Sequence, residues 1–437
     1  MNKQLVLLMA PVTTVSGYGA RSRDIATALI KSDKYDVMIF PTRWGSTPEN
    51  ALDSANKDHQ EILSRLLKNQ QVPRQPDVFI QITVPNEFQK VGKYNIGITA
   101  GIETTLASGA WIEGCNQMDL VLTSSEHAKN VLLNSKWGKF DQNTKQQIGN
   151  VECTTPIEVL FEGVDISKYF YTNQMPITLY EQLKQVKESF AFLFVGHWLN
   201  GDLGEDRKNI GMLCKVFLET FKNKAPRNQP ALILKTSRGD FSPIDRKHML
   251  DKIEAVYKTV KGTNLPNIYL LHGDLSDEEM NSLYNYPKVR AHITLTKGEG
   301  FGRPLAEASL SVKPIIAPNY SGHVDFLKHA ILLPGQMTKV HPSAAWDNVI
   351  LQESEWMTVD YGQASAAMND VVENYDKYII NAKKQATYIK KELTLEAMSN
   401  KLIQILDQRV PKQVALKLPQ LKKIELPKLK KVEPQTT

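Results

Sequence analysis

The chain has 437 residues, more than one hydrophobic core usually supports, so two domains are expected. Its 42% apolar and 23% charged content is that of an ordinary globular protein, and no apolar run is long enough to span a bilayer. The net charge of +6 belongs to the C-terminal end: eight bases from Arg409 onward face only Glu425 and Glu433, and the rest of the chain is electroneutral, which argues against a basic nucleic-acid-binding body.

From the N-terminus, the first apolar run, Gln4–Met9, reads as a buried strand; a signal peptide would need a longer run and a small-residue cleavage site. Further short, β-branched runs follow at Tyr35–Phe40, Asp77–Ile82, Asn95–Thr99, Leu120–Ser124 and Ile157–Phe161, with a helix predicted over Ala20–Lys31. Runs that do not alternate strictly suit strands buried on both faces of a parallel sheet, and the strand–helix order suggests a doubly wound α/β domain. The polar stretch Lys168–Glu188, with Pro176, reads as a linker.

A second set then begins, with strands predicted at Phe190–Val195, Ala231–Lys235, Ile268–Leu271, His292–Leu295, Pro314–Ala317 and Ile331–Leu333. Helices are predicted over Asn209–Phe221, Asp277–Tyr286 and Pro304–Ser311, and long helical patterns run from about Ala364 to Asp407. Beyond them a near-repeat, Leu418–Glu425 and Leu426–Glu433, mixes prolines with lysines and reads as a disordered basic arm. Two such domains place ligands in a cleft at the C-terminal ends of their strands. The three cysteines, Cys115, Cys153 and Cys214, lack metal-ligand spacing and read as structural thiols in a reduced, cytoplasmic setting.

The segment Lys297-Gly-Glu-Gly-Phe-Gly-Arg-Pro-Leu-Ala-Glu307 carries the strongest chemical signal. Gly298, Gly300 and Gly302 let backbone approach a ligand closely, and Pro304 suits a first helical turn. Glu299 and Glu307, on either side of the helix start, can hold hydroxyls at two ends of an elongated polyol, one a sugar and the other a ribose. The bland alternative is a Gly-rich turn with two solvated glutamates. Upstream, Leu193-Phe-Val-Gly-His197 ends a strand and Arg207-Lys208-Asn209 opens a helix; a basic pair there opposes the helix dipole unless an anion joins it. Lys235 is a candidate second cation and Arg238 a weaker one. In the first half, Ser16-Gly-Tyr-Gly19 is no dinucleotide fingerprint, because Ser22 holds the third glycine position.

These residues resemble glycosyltransferase family 4 and its relatives, over roughly residues 1–407 and most strongly over 190–330. The resemblance implies the GT-B fold: two Rossmann-like, doubly wound domains facing a central cleft, here 1–170 for the acceptor and 189–375 for the donor, joined by a 171–188 linker. Helices over 376–408 would cross back to the first domain, ahead of a 409–437 tail. The family's E-x7-E motif maps onto Glu299, for donor-sugar hydroxyls, and Glu307, for the ribose; Gly300, Phe301, Gly302 and Arg303 lie within it. Gly196, Arg207 and Lys208 match the element that neutralises the leaving diphosphate, and Gly17 and Gly19 match the loop beside the donor phosphate and sugar.

Three positions depart from the pattern. Glu103 stands where many members have His, although a related branch has Glu near a Trp, as Trp111 is here. Glu162 replaces the Asn of an Asn-Gly-Val-Asp turn, and Val312 replaces a Gly. His127, at a predicted helix start, reads as structural.

The implied activity is a retaining transfer from a UDP- or GDP-sugar to an acceptor hydroxyl. The acceptor could be a carbohydrate, a lipid or a nucleic acid. No D-x-D triplet marks a metal site, so no cofactor is expected. Two alternatives are glycosylation of modified DNA bases, with the basic arm holding nucleic acid, and a catalytically silent sugar-nucleotide binder. The arm could equally meet a membrane surface or a protein.

Overall fold

The computed structural model describes residues 3–45, 47–68, 71–141 and 143–412. The first half contains β1 (Gln4–Ala10), α1 (Gly17–Lys31), β2 (Tyr35–Pro41), α2 (Lys57–Leu63), β3 (Val78–Ile82), β4 (Tyr94–Thr99), α3 (Gly109–Cys115), β5 (Leu120–Thr123), α4 (Glu126–Asn134), a β6 (Trp137–Phe140)–β7 (Gln147–Val151) hairpin and β8 (Ile157–Val159). Six of these strands form one parallel sheet in the order β2-β1-β3-β4-β5-β8. Their runs are buried on both faces: Val6, Leu8, Ile80, Ile96 and Leu122 on one, and Leu5, Leu7, Phe79 and Val121 on the other. Helix α1 starts where the Ser16 hydroxyl accepts from the Gly19 N–H, and it buries Ile25, Ala26, Ala28 and Leu29 against the sheet.

The second half contains α5 (Ile177–Leu183), β9 (Ala191–Val195), α6 (Ile210–Phe221), β10 (Ala231–Lys235), α7 (Pro243–Thr259), β11 (Ile268–Leu271), α8 (Asp277–Asn285), β12 (Val289–Ile293), α9 (Arg303–Ser309), β13 (Ile315–Pro318), β14 (Ile331–Leu333), the β15 (Gly335–Lys339)–β16 (Glu355–Val359) hairpin, α10 (Tyr361–Glu373), α11 (Tyr375–Glu392) and α12 (Leu395–Arg409). Its parallel sheet runs β11-β10-β9-β12-β13-β14, the order in which direction reverses between the first and fourth strands of the set. Ligands of such sheets sit at that switch point, here the C-terminal ends of β9 and β12. Helix α6 is held down by Ile210, Leu213, Cys214, Phe217, Leu218 and Phe221, a helical apolar stripe packed on the sheet.

The chain returns to the first domain at its end. Val164 exchanges backbone bonds with Leu393 and Leu395, and α12 buries Met398, Leu402, Ile405 and Leu406 in the core built on β1 and α1. No helix among the described residues is long and apolar enough to cross a membrane.

Several expectations need correction. The 171–188 segment is not a free linker: α5 lies in it, and Leu179, Leu183 and Val186 are buried in the second domain's core. The strand expected at His292–Leu295 runs Val289–Ile293 instead, because Thr294 to Lys297 turn into the loop that carries Glu299. The basic arm does not begin at Arg409, which ends α12 ion-paired to Glu158; Val410 is also buried in the core. The near-repeat 418–433 lies outside the described residues. Val312, where a glycine would be at ease, adopts φ 59°, a conformation a β-branched residue takes only under strain. A truncation at residue 412 is therefore expected to leave the melting temperature within about 2 °C of the full chain, whereas one at 408 should lower it visibly, by the loss of Val410 burial and the Glu158 pair. Equal melting of both truncations in calorimetry would contradict this boundary.

Candidate active site

The loops after β9 and β12 meet the first domain along a tight seam. Gly298 and Gly300 are required there: a Cβ on Gly298 would come 2.2 Å from the Glu103 carbonyl oxygen, and one on Gly300 would come 2.6 Å from that of Ala100. Gly302, with φ 97°, turns the chain into α9.

Glu299 is buried in this seam. Lys208 places Nζ 2.6 and 2.7 Å from its two carboxylate oxygens. Arg207 donates to the Gly298 carbonyl at 2.8 Å, and the same nitrogen lies 3.4 Å from Glu299 and 3.3 Å from Glu103 of the first domain. Both cations sit just before α6, where Asn209 takes a left-handed conformation. Burial alone would push the Glu299 carboxyl up, but Lys208 and Arg207 outweigh it and hold its pKa at about 2. Burial disfavours the Arg207 cation too, yet Glu103 and Glu299 prevail and raise its pKa. For Lys208 burial wins over the Glu299 attraction and the pKa falls, helped by the neighbouring Arg207 charge.

Glu307 forms a second set about one turn into α9. The Tyr284 hydroxyl donates to its Oε2 at 3.0 Å, and Arg303 Nε reaches its Oε1 at 3.3 Å. Arg303 also donates to Asp24 of α1 at 2.8 Å and lies 3.7 Å from Glu162. Burial raises the Glu307 pKa to about 7, against the pull of Arg303 and Tyr284.

Glu307 and Arg303 open onto an interdomain cleft of about 800 Å³. From the first domain it is lined by Gly17, Asp24 and Trp44 among others, and from the second by His197, Arg238 and Ser276. Glu299 and Lys208 line instead a separate small void of about 20 Å³, room for about one water.

The structure therefore brings Glu299, Arg207, Lys208 and Glu103 into one ion-pair network and puts Glu307, Arg303 and Gly17 on one cleft. Gly196 lies beside Lys208: a Cβ there would come 3.8 Å from Lys208 Cε. Gly19 is turned away, packed on the Thr14 carbonyl. Lys235 is not joined to the Glu299 network; its ammonium donates to the Gly273 carbonyl and lies over the Phe241 ring at 5.3 Å. The Phe301 ring is buried in the core against Phe326, so only its backbone is left for a ligand. Trp111 is buried on α3, and His272 pairs with Asp245 at 2.8 Å. Sequence reasoning missed Asp24 and Tyr284; neither stands in a motif, and only the fold carries them to Arg303 and Glu307.

No family model and no curated protein matches the chain. Among solved structures, sucrose-phosphate synthase from Thermosynechococcus elongatus superposes with a TM-score of 0.61 at 14% identity, covering 93% of this chain and 99% of that one. A glycosyltransferase from Rickettsia africae gives 0.59 at 13%, covering 94% and 100%. Alr3699/HepE from Anabaena, in complex with UDP and glucose, gives 0.56 at 12%, covering 93% and 100%. At these identities the likeness is one of fold, and the fold is GT-B.

Proposed function

We propose that the protein is a glycosyltransferase that moves a sugar from a nucleoside diphosphate carrier to an acceptor hydroxyl. The observation that carries this reading is the buried pairing of Glu299 with Lys208 and Arg207, on the same loop–helix unit as Glu307, which opens onto the interdomain cleft. The solved GT-B structures that bind UDP, such as Alr3699/HepE, support UDP as the carrier; a GDP-sugar remains the other arm of the test.

In this reading Glu307 accepts the ribose hydroxyls and Glu299 the hydroxyls of the transferred sugar. Lys208 and Arg207 stabilise the charge that builds on the departing diphosphate. The bond from the anomeric carbon to the diphosphate oxygen breaks and its electron pair leaves with the phosphate. The acceptor oxygen bonds to the same carbon from the same face, and its proton passes to the departing phosphate oxygen. That front-face course retains configuration and needs no protein nucleophile. Glu103, held by Arg207, borders the sugar from the first domain. The open backbone at Gly17 faces the donor, the backbones of Gly300, Phe301 and Gly302 carry Glu299 and the start of α9 to it, and Gly196 packs beside Lys208. Gly19 and Lys235 act at one remove, by shaping the loop and the neighbouring strand end.

A screen of UDP- and GDP-sugars for slow hydrolysis without acceptor tests the reading. Release of UDP or GDP from one donor is expected; no release and no binding from any of them would refute it. Because two fixed cations take the part of a metal ion, that activity is expected to survive EDTA within about twofold. Abolition by chelation and recovery with manganese would defeat the metal-free mechanism.

A further inference from the structure

Arg303 is a planar fork whose nitrogens face three carboxylates: NH2 meets Asp24, NH1 points toward Glu162, and Nε meets Glu307. Asp24 and Glu162 belong to the first domain and Glu307 to the second. NH1 is buried and makes no hydrogen bond, so the Asp24 contact at 2.8 Å is what fixes the fork on the first-domain side. Tyr284 and Arg303 each give Glu307 one donor, on different oxygens, which leaves a lone pair on each oxygen for a ligand. A guanidinium freed from Asp24 would turn and grip both oxygens at once, the bidentate arrangement it favours, and the lone pair that Tyr284 leaves free on Oε2 would be lost.

We propose that Asp24 is a positioning residue for the nucleotide site: by holding Arg303 across the interface, it keeps Glu307 free to accept ligand hydroxyls, and only while the two domains are together. The inference rests on the reading of Glu307 as a nucleotide ligand. It gives Asp24 of the first domain a part in the donor site that it plays through Arg303.

The test is a double-mutant cycle on UDP binding by calorimetry, using the full chain. Asp24→Asn is expected to weaken UDP about tenfold in the native background and less than twofold in Glu307→Gln, with Asp24→Glu returning to within threefold of native. The same loss in both backgrounds would show that Asp24 merely supports the fold and would overturn the proposal. A second readout needs no nucleotide. Glu307 faces Arg303 and Tyr284, with Asp277 and Tyr169 nearby and Glu162 beyond Arg303. If Arg303 swings onto Glu307 in Asp24→Asn, the carboxylate is better paired and the fall in melting temperature from pH 5 to pH 8 should shrink. An unchanged fall would overturn the proposal even if UDP proves not to be the ligand, whereas failure of native protein to bind UDP or GDP would sink the donor-site reading alone.

Discussion

Lys208→Met is expected to slow sugar transfer by roughly 10²- to 10³-fold, the loss seen when one fixed donor to a developing negative charge is removed. Methionine keeps the length and most of the volume of the side chain, so the packing beside Gly196 survives and the charge is what disappears. Stability should suffer as well. Glu299 is buried and its pKa of about 2 lies below its ordinary 4.5. A depressed carboxyl contributes stability that is present above pH 4.5 and is lost as pH falls toward 2. Without Lys208 that contribution shrinks, and a buried carboxylate with half its compensation destabilises by about 3–5 kcal/mol at neutral pH. The two effects separate in the double variant Lys208→Met/Glu299→Gln, whose turnover is read against Glu299→Gln alone because Glu299 itself meets the transferred sugar in the proposed site. Its melting temperature should recover most of the loss because the orphaned charge is gone, while its turnover should stay low. If turnover returned together with stability, Lys208 would be a structural partner of Glu299 and no part of the chemistry.

The parts of this molecule that could be read from sequence are those whose signal is local. Apolar runs such as Gln4–Met9 and Ala231–Lys235 are strands because both faces of a parallel sheet are buried, and they lie within a residue or two of where periodicity puts them. The glycines at 298, 300 and 302 announced a close approach, and the structure shows what is approached: first-domain carbonyls at Gly298 and Gly300, while Gly302 makes the left-handed turn into α9 against His323. Helix α5 was hidden by the polar residues around Pro176, although Leu179, Leu183 and Val186 have helical spacing. Strand β12 was misplaced because Arg290 interrupts its apolar run; the guanidinium leaves the sheet to lie 3.9 Å over the Tyr375 ring. Contacts between distant segments gave no local signal at all. Asp24 and Arg303 are 279 positions apart, and Tyr284 reaches Glu307 only because α8 and α9 flank one strand. Such pairs depend on topology, which is why the motif residues were recognisable and their partners were not.

Glu307→Gln is expected to make the protein more stable and less able to bind nucleotide, and to do so only above a particular pH. Burial raises the Glu307 pKa from 4.5 to about 7 in the folded chain. Between those values the folded state holds a proton that the unfolded state has lost, so stability falls as pH rises from 4.5 to 7 and stays reduced above it. A difference of that size corresponds to about 3 kcal/mol. Glutamine has nearly the same shape and can still accept from the Tyr284 hydroxyl, but it carries no charge to bury. At pH 5 the two proteins should therefore melt together. At pH 8 the variant should melt several degrees higher, less whatever Arg303 loses by keeping only Asp24 and Glu162 as anionic neighbours. Nucleotide binding should move the other way. Hydroxyls donate better to a carboxylate than to a carboxamide, so the variant should bind UDP more weakly by about 1–3 kcal/mol at pH 8. In the native protein, affinity should rise as pH climbs through 7, with a proton released on binding near that pH; calorimetry in buffers of different ionisation enthalpy would count it. A variant equally stable at both pH values, with unchanged nucleotide affinity, would make Glu307 an ordinary buried side chain. A gain in stability matched by a loss in binding would instead mark a carboxylate kept in an unfavourable place because the ligand requires it there.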